Sequence, residues 1–489
     1  MDHQSHTTAG SLTGWSTPKV AANNTTRQYF EHFSGQASST NTILAASLKE
    51  QYPSLKLSIL SEVDLLGFAA NGFAKCIPLA DDAANSGLPS SVTINAYHPA
   101  QRSARGSNGL IAQDIRFGKF HYQWQAYDFI LYVAHGLDGS SGLSSYTYAY
   151  LLSSDEHQSE ALVLAAGKWT SSLHEEIWVY DGGYWSKSAA LYQSVMKASW
   201  DAVILDTQMK KDLINDHLYF FQSEDTYRRL KVPWKRGIIY YGPPGNGKTI
   251  SIKAMMHTLY NMKPEIPTLY VRSLASFMGP EYSIKSIFSK ARQFAPCYLV
   301  FEDLDSLVSD SVRSYFLNEV DGLKENDGIF MIGSTNHLER LDPGISKRPS
   351  RFDRKYLFPN PNLRERIAYC HFWQAKLKDN KEISFPDKLC DAIARITSRF
   401  SFAYMQEAFV AALLAIARDE KPDGIITAMD VLTVDVAHDW VEVLDSAEDD
   451  EDPELEKLVL WREMKKQVKI LRDGLRGGDG ELDADLVSV

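Results

Sequence analysis

Eight residues, Gly242-Pro243-Pro244-Gly245-Asn246-Gly247-Lys248-Thr249, constrain this chain more than any other feature. They fit the pattern GxxxxGK[ST], and their flanks fit its structural setting. Ile238-Ile239-Tyr240 ahead of them reads as a buried strand. Ile252, Met255, Met256 and Leu259 behind them recur at i, i+3, i+4 and i+7, the apolar stripe of a helix. Strand, loop and helix in that order make a cradle for a triphosphate. Glycines let backbone N–H groups converge on phosphate oxygens, and the helix N-terminus adds its partial positive charge. Lys248 is then placed to meet the β and γ phosphates, and the Thr249 hydroxyl to ligate Mg²⁺. Contacts to ATP are expected from Gly242 through Thr249 and from Ile250 beside them.

From Arg236 onward short apolar runs alternate with helical stretches, the pattern of a parallel sheet with crossover helices. Five strands are predicted, at Gly237–Tyr241, Thr268–Arg272, Tyr298–Phe301, Ile329–Gly333 and Lys355–Phe358. The third ends in Glu302-Asp303, with Asp305 two residues on. Acids at the C-terminal end of such a strand open onto the phosphate crevice, where a Mg²⁺ and a water need them.

With this pair about fifty residues after the Gly-rich loop, the chain resembles the AAA+ ATPases. It looks closest to the subgroup resembling the mitochondrial translocase that inserts the Rieske iron-sulphur protein. The family usually reads Asp-Glu here, and this chain reads Glu302-Asp303. The resemblance implies that Glu302 serves the metal together with Thr249, and that Asp303 polarises the attacking water. Asn336, after the strand Ile329–Gly333, matches the family's sensor 1. Arg351 and Arg354 match arginine fingers that act on a neighbouring subunit's nucleotide. Phe277-Met278-Gly279 sits where ring translocases carry a loop that grips an extended polypeptide, and Ser283 is a candidate N-cap for the helix after it. Phe400-Ser401-Phe402-Ala403 resembles sensor 2 of the lid. The resemblance runs from about Leu205 to Glu420, and it implies a hexamer-like ring.

The fold class that follows is α/β: a P-loop NTPase (AAA+) with a parallel five-stranded sheet and an α-helical lid, preceded by a β-rich α+β domain. Residues 1–40 read as a flexible polar leader and 41–204 as the N-terminal domain, the expected site of substrate recognition. Residues 205–360 read as the large ATPase domain, 361–445 as the lid and 446–489 as an acidic tail with a helix. In the N-terminal part, Thr40 to Ala80 reads as helical. Ile115 and Phe117, then Phe120, Tyr122 and Trp124 beyond Gly118, alternate like a strand pair, as do Tyr146, Tyr148 and Tyr150; Ser103 to Gly109 reads as a loop, and Asp181-Gly182-Gly183 marks a hairpin turn. In the lid, Phe402, Met405, Phe409, Leu413 and Ile416 share one helical face.

Charge and cysteine usage narrow the partners. A net charge of -11 argues against a surface that tracks nucleic acid, because phosphate-backbone binders need clustered Lys and Arg. Four scattered cysteines, Cys76, Cys297, Cys370 and Cys390, form no CxxC pair and fit a reducing compartment. No run of about 18 apolar residues suggests membrane insertion, and nothing matches the subgroup's transmembrane segment. The expected function is an ATP-hydrolysing mechanoenzyme that remodels, unfolds or translocates a protein substrate, soluble in the cytoplasm or nucleus. A slow nucleotide-gated scaffold is the alternative, and a nucleic-acid motor a third.

Overall fold

The five strands read from the alternating pattern all form, in a computed structural model that describes residues 39–79, 91–99, 108–137, 145–321, 325–348, 351–419 and 452–477. The chain divides into two units, one within residues 1–172 and the other within 173–489. The leader, most of the loop at Ser103 to Gly109 and most of the acidic run after Ser446 lie outside the described residues.

The first unit is built on an antiparallel sheet: β1 (Lys56–Leu60), β2 (Lys75–Pro78), β3 (Val92–His98), β4 (Leu110–Trp124), β5 (Tyr127–Leu137) and β6 (Ser145–Ser153). The strand order is β1-β6-β5-β4-β2, with β3 paired to the first half of β4. Side chains alternate between two covered faces. Phe120, Tyr122, Phe129, Leu131 and Leu151 pack with Leu65, Leu162 and Ala166 of the helices Leu65–Ala70 and Glu156–Ser171. Tyr132, Ala134, Tyr150 and Leu152 pack on the other face with Leu48 of the helix Thr40–Gln51. Thr40 to Ala80, read as helical, is in fact helix, strand, helix, strand. Runs as short as Leu57 to Leu60 are too brief for either period to declare itself.

The second unit holds a seven-stranded sheet, not the five-stranded one expected. Its strands are β7 (Ile177–Asp181), β8 (Tyr184–Ser188), β9 (Arg236–Tyr241), β10 (Thr268–Val271), β11 (Cys297–Phe301), β12 (Ile329–Thr335) and β13 (Arg354–Leu357). The order is β13-β9-β12-β11-β10-β7-β8. Every pairing from β13 to β7 is parallel, and β8 turns back antiparallel on β7. The Asp181-Gly182-Gly183 hairpin is present, but it extends this sheet instead of belonging to the N-terminal domain. The boundary therefore falls near residue 172, and not at 204.

Both sheet faces are covered. Ile238, Tyr240, Tyr298 and Val300 pack under the helix Lys248–Tyr260 (Ile252, Met255, Leu259) and the helix Thr207–Gln222 (Leu213, Phe220). Ile239, Leu299, Phe301 and Met331 pack under Pro280–Phe294 (Ile284, Ile287, Phe288) and Arg313–Asp321 (Phe316, Val320). Helices Leu363–Lys376, Asp387–Ile396 and Phe402–Asp419 follow, the first closed by a capping box between Asn362 and Glu365. Met405, Phe409 and Ile416 face their core. A fourth helix, Val459–Gly477, inserts Leu460, Trp461, Met464 and Val468 into that same core. The segment read as a tail is thus partly a structural element of the helical subdomain.

Candidate functional site

β9 delivers the chain to Gly242, and the helix begins at Lys248 with Gly247 as its cap. Between them Gly245 has φ +79°, and a Cβ there would lie 2.5 Å from the Cβ of Ala403. That backbone conformation and that approach both call for glycine. The Gly245 carbonyl also accepts from the Ala403 N–H at 3.1 Å, so the segment Phe400–Ala403 does meet the loop.

Lys248 is buried, and its ammonium donates to the carbonyls of Gly242 (2.6 Å) and Pro243 (2.9 Å). Burial lowers its pKa, while the carboxylates of Asp303 and Asp305 pull it back up. The loop and the end of β11 are thus one electrostatic site. Thr249 and Ile250 stand exposed on the first turn of the helix. Asn246 is buried, its amide donating to Asn360 Oδ1 at 2.9 Å, while its own Oδ1 has no hydrogen bond.

On β11, Tyr298 and Val300 face the helix Lys248–Tyr260, and alternation puts Glu302 on that side too. The hydroxyl of Tyr270, on β10, donates to Glu302 Oε2 at 2.6 Å, and Glu302 Oε1 is buried with no hydrogen bond. Burial first, then the neighbouring carboxylate, hold that phenol protonated well above its ordinary range. Asp303 is exposed and left-handed at φ +50°, capping the short helix Leu304–Leu307. Its N–H donates to Ser334 Oγ at 3.3 Å. A left-handed non-glycine residue costs on the order of 1 kcal/mol and tends to mark functional sites. Asp305 accepts from Thr335 Oγ1 at 2.6 Å, which ties β12 to this corner, and Asn336 follows half-buried.

The residues present fit a magnesium nucleotide. A buried ammonium, a glycine-shaped loop and a buried carboxylate oxygen without a hydrogen bond together answer the needs of phosphates and a hydrated cation. Lys248 and the loop backbone would hold the phosphates, and Thr249 and Glu302 the metal. Tyr270, Ser334 and Thr335 were missed as site residues in the sequence, because strand pairing is what brings them beside the end of β11.

The two arginines expected to reach a neighbour are both engaged within the chain. Arg351 is 7% exposed; it donates from Nε and Nη2 to Asp321 (2.8 and 2.7 Å) and from Nη1 to the Gly344 carbonyl (2.7 Å). Arg354 donates to Asp216 at 2.9 Å, beside the Tyr356 hydroxyl. Arg348 is the more open guanidinium, 59% exposed and 3.6 Å from Asp321.

Phe277 and Met278 are 90% and 56% exposed, so they do not pack in the core. Their loop is a tight turn about Ser276, whose Oγ accepts from Met278 N–H (3.1 Å) and whose carbonyl accepts from Gly279 N–H (3.1 Å). Gly183, at the β7–β8 turn with φ +95°, backs directly onto Ser276; a Cβ there would lie 2.7 Å from Ser276 Oγ. The next helix runs Pro280–Phe294 from Gly279, which corrects the expected cap at Ser283. Pro280 presets the first helical φ, and the start lies four residues earlier than expected.

Residues 238–360 match the family described as "ATPase family associated with various cellular activities (AAA)". The chain carries an AAA-type P-loop ATPase domain. Among known proteins it is similar to a "Putative cell division cycle ATPase" of Plasmodium falciparum (isolate 3D7), 30% identical over 224 residues. That match covers 42% of this chain and 17% of the Plasmodium protein. No described helix is long and apolar enough to cross a membrane.

Proposed function

We propose that this chain hydrolyses Mg-ATP within a ring of its own copies and uses the cycle to remodel, unfold or translocate a polypeptide. The observation that carries the ATPase reading is the buried Lys248 ammonium held under the glycine loop at the end of β9, within the field of the carboxylates of Asp303 and Asp305 beyond β11. Glu302 serves the metal; Asp303, exposed where Glu302 is tucked under Tyr270, serves the attacking water. Asn336 senses the γ-phosphate or that water. The order Glu302-Asp303 keeps the chain nearest the Rieske-translocase-like subgroup. The outward-facing Phe277 and Met278 support the polypeptide grip, since an aromatic ring and a thioether contact any extended chain without reading its sequence. An arginine finger from a neighbouring copy is supplied by Arg354 or Arg348, whose guanidiniums are 51% and 59% exposed, while that of Arg351 is engaged by Asp321 and Gly344. Four free cysteines, three of them buried, fit a reducing compartment.

The test pairs nucleotide binding with stimulation. Lys248→Ala should abolish binding of a fluorescent ATP analogue, and near-normal affinity there would end the P-loop assignment. Unfolded casein should raise wild-type turnover, and Phe277→Ala should remove the rise. A second reading, a slow nucleotide-gated scaffold, is favoured by the short Asp303, since a misplacement of about 1 Å can cost roughly a hundredfold in rate. ATP-dependent rings with almost no phosphate release would select it.

A further inference from the structure

Glutamate reaches one methylene further than aspartate, so a metal-binding glutamate at the end of a strand needs something to fix its third torsion. On β10 and β11, Tyr270 pairs with Val300, so Glu302 lies two residues along the same sheet face, on the diagonal that a long aromatic side chain can span. The Tyr270 hydroxyl meets Oε2 at 2.6 Å, the length of a charge-assisted O–H···O⁻ bond. The second oxygen, Oε1, is buried and makes no hydrogen bond. One oxygen of the carboxylate is therefore tethered by the neighbouring strand while the other is held in reserve. A buried acceptor left unbonded costs about 1–3 kcal/mol, so it marks a place where a donor belongs. A metal-bound water at that oxygen is such a donor.

We infer that Tyr270 is a positioning residue for the metal: by holding Oε2 of Glu302 it leaves the buried Oε1 for the cation, and so makes the Glu302-Asp303 order workable. The inference rests on the Mg-nucleotide reading above. It assigns Tyr270 no contact with the nucleotide and no part in the chemistry.

The experiment measures how much a divalent ion tightens binding of a fluorescent ADP analogue to the full chain. Affinity is taken in Mg²⁺ and in EDTA, and bound Mn²⁺ is followed by electron paramagnetic resonance. Removing an outer partner of a metal ligand typically costs 10- to 100-fold in metal affinity, so Tyr270→Phe should cut the metal-dependent gain roughly tenfold. Affinity in EDTA should stay within about twofold, because the metal-free phosphates do not call on Glu302. Glu302→Asp withdraws the carboxylate from the phenol, so adding Tyr270→Phe to that variant should change the gain by less than about twofold. An unchanged gain in Tyr270→Phe overturns the inference, as does an equal loss with and without metal or a full-sized effect in the Glu302→Asp background. A wild-type chain with no metal-dependent gain overturns the nucleotide reading beneath it, which is a different result from a gain that the Phe variant keeps.

Discussion

Arg351→Ala removes three hydrogen bonds at once: two to the carboxylate of Asp321 and one to the carbonyl of Gly344. Hydrogen bonds involving charged groups contribute about 1.5–3 kcal/mol each, and breaking a buried ion pair costs about 3–5 kcal/mol in total. Asp321 is 32% exposed, so water rescues part of what it loses, and about 2–4 kcal/mol is the expected destabilisation. For a unit of this size that lowers the first thermal transition by roughly 3–6 °C. Asp321→Ala should cost a similar amount, and the double variant little more than either single one, because both remove the same pair. Arg348→Ala should behave in the opposite way. It should move the transition by less than about 2 °C, yet lower turnover on the order of a thousandfold if Arg348 is the finger acting across the ring. Thermal unfolding and phosphate release on the same preparations decide the matter. Turnover in the Arg348 variant should also return when it is mixed with Asp303→Asn, whose own arginine is intact. An Arg351→Ala chain as stable as wild type, or an Arg348→Ala chain at full turnover, refutes this division of labour.

His217 is fully buried, and burial depresses its pKa from the usual 6.5 to about 4. Between those values the unfolded chain takes up a proton that the folded one refuses. Stability is therefore complete above about pH 6.5 and is lost as pH falls toward 4, by roughly 3 kcal/mol at most. Urea denaturation of wild type and His217→Gln across this range should diverge, and parallel curves would show that the imidazole contributes nothing to the acid response. Gly183→Ala presses a methyl group to within 2.7 Å of Ser276 Oγ at a φ of +95°. It should displace the Phe277–Met278 loop and cut casein stimulation roughly tenfold, with ATP-analogue affinity within about twofold of wild type. Undiminished stimulation would show that the hairpin does not set the loop.

What could be read in the sequence was local. The strand Ile238–Tyr240, the glycine loop and the helix from Lys248 announce themselves within about twenty residues, through one change of period and one motif. The strands at 268, 297 and 329 followed because parallel strands buried on both faces are nearly continuous apolar runs; the edge strand Arg354–Leu357 is mostly exposed and is no such run. The β7–β8 hairpin was recognised as a hairpin and put in the wrong domain, because Asp181-Gly182-Gly183 specifies a turn but not a neighbour. Its neighbour is β10, where Trp178 pairs with Leu269 some ninety residues on, and no periodicity encodes that choice. The same limit governs Val459–Gly477. Its amphipathic face was visible, but the partner core of Cys390, Met405 and Phe409 was not, and the acidic run ahead of it argued for solvent. Arg351 shows a related limit: spacing locates a guanidinium, and only the fold reveals the aspartate 30 residues earlier that pairs with it.

These long-range pairings also bear on how a nucleotide site could work on a loop. Tyr270 reaches Glu302, and two residues later Arg272 donates its N–H to the Tyr180 carbonyl at the end of β7 (3.0 Å), just before the turn at Gly183. The loop carrying Phe277 leaves β10 at that point and is braced by the same hairpin through Ser276. One end of β10 therefore holds the proposed metal ligand, and its continuation carries the proposed grip. A shift of Glu302 between nucleotide states would move the root of the loop as a rigid strand end moves, through backbone hydrogen bonds, without any rearrangement of the core. On this account Tyr270→Phe should weaken casein stimulation beyond what its loss of metal-dependent affinity accounts for, measured at saturating Mg-ATP. Stimulation that recovers fully once metal and nucleotide saturate would confine Tyr270 to the metal and place the coupling elsewhere.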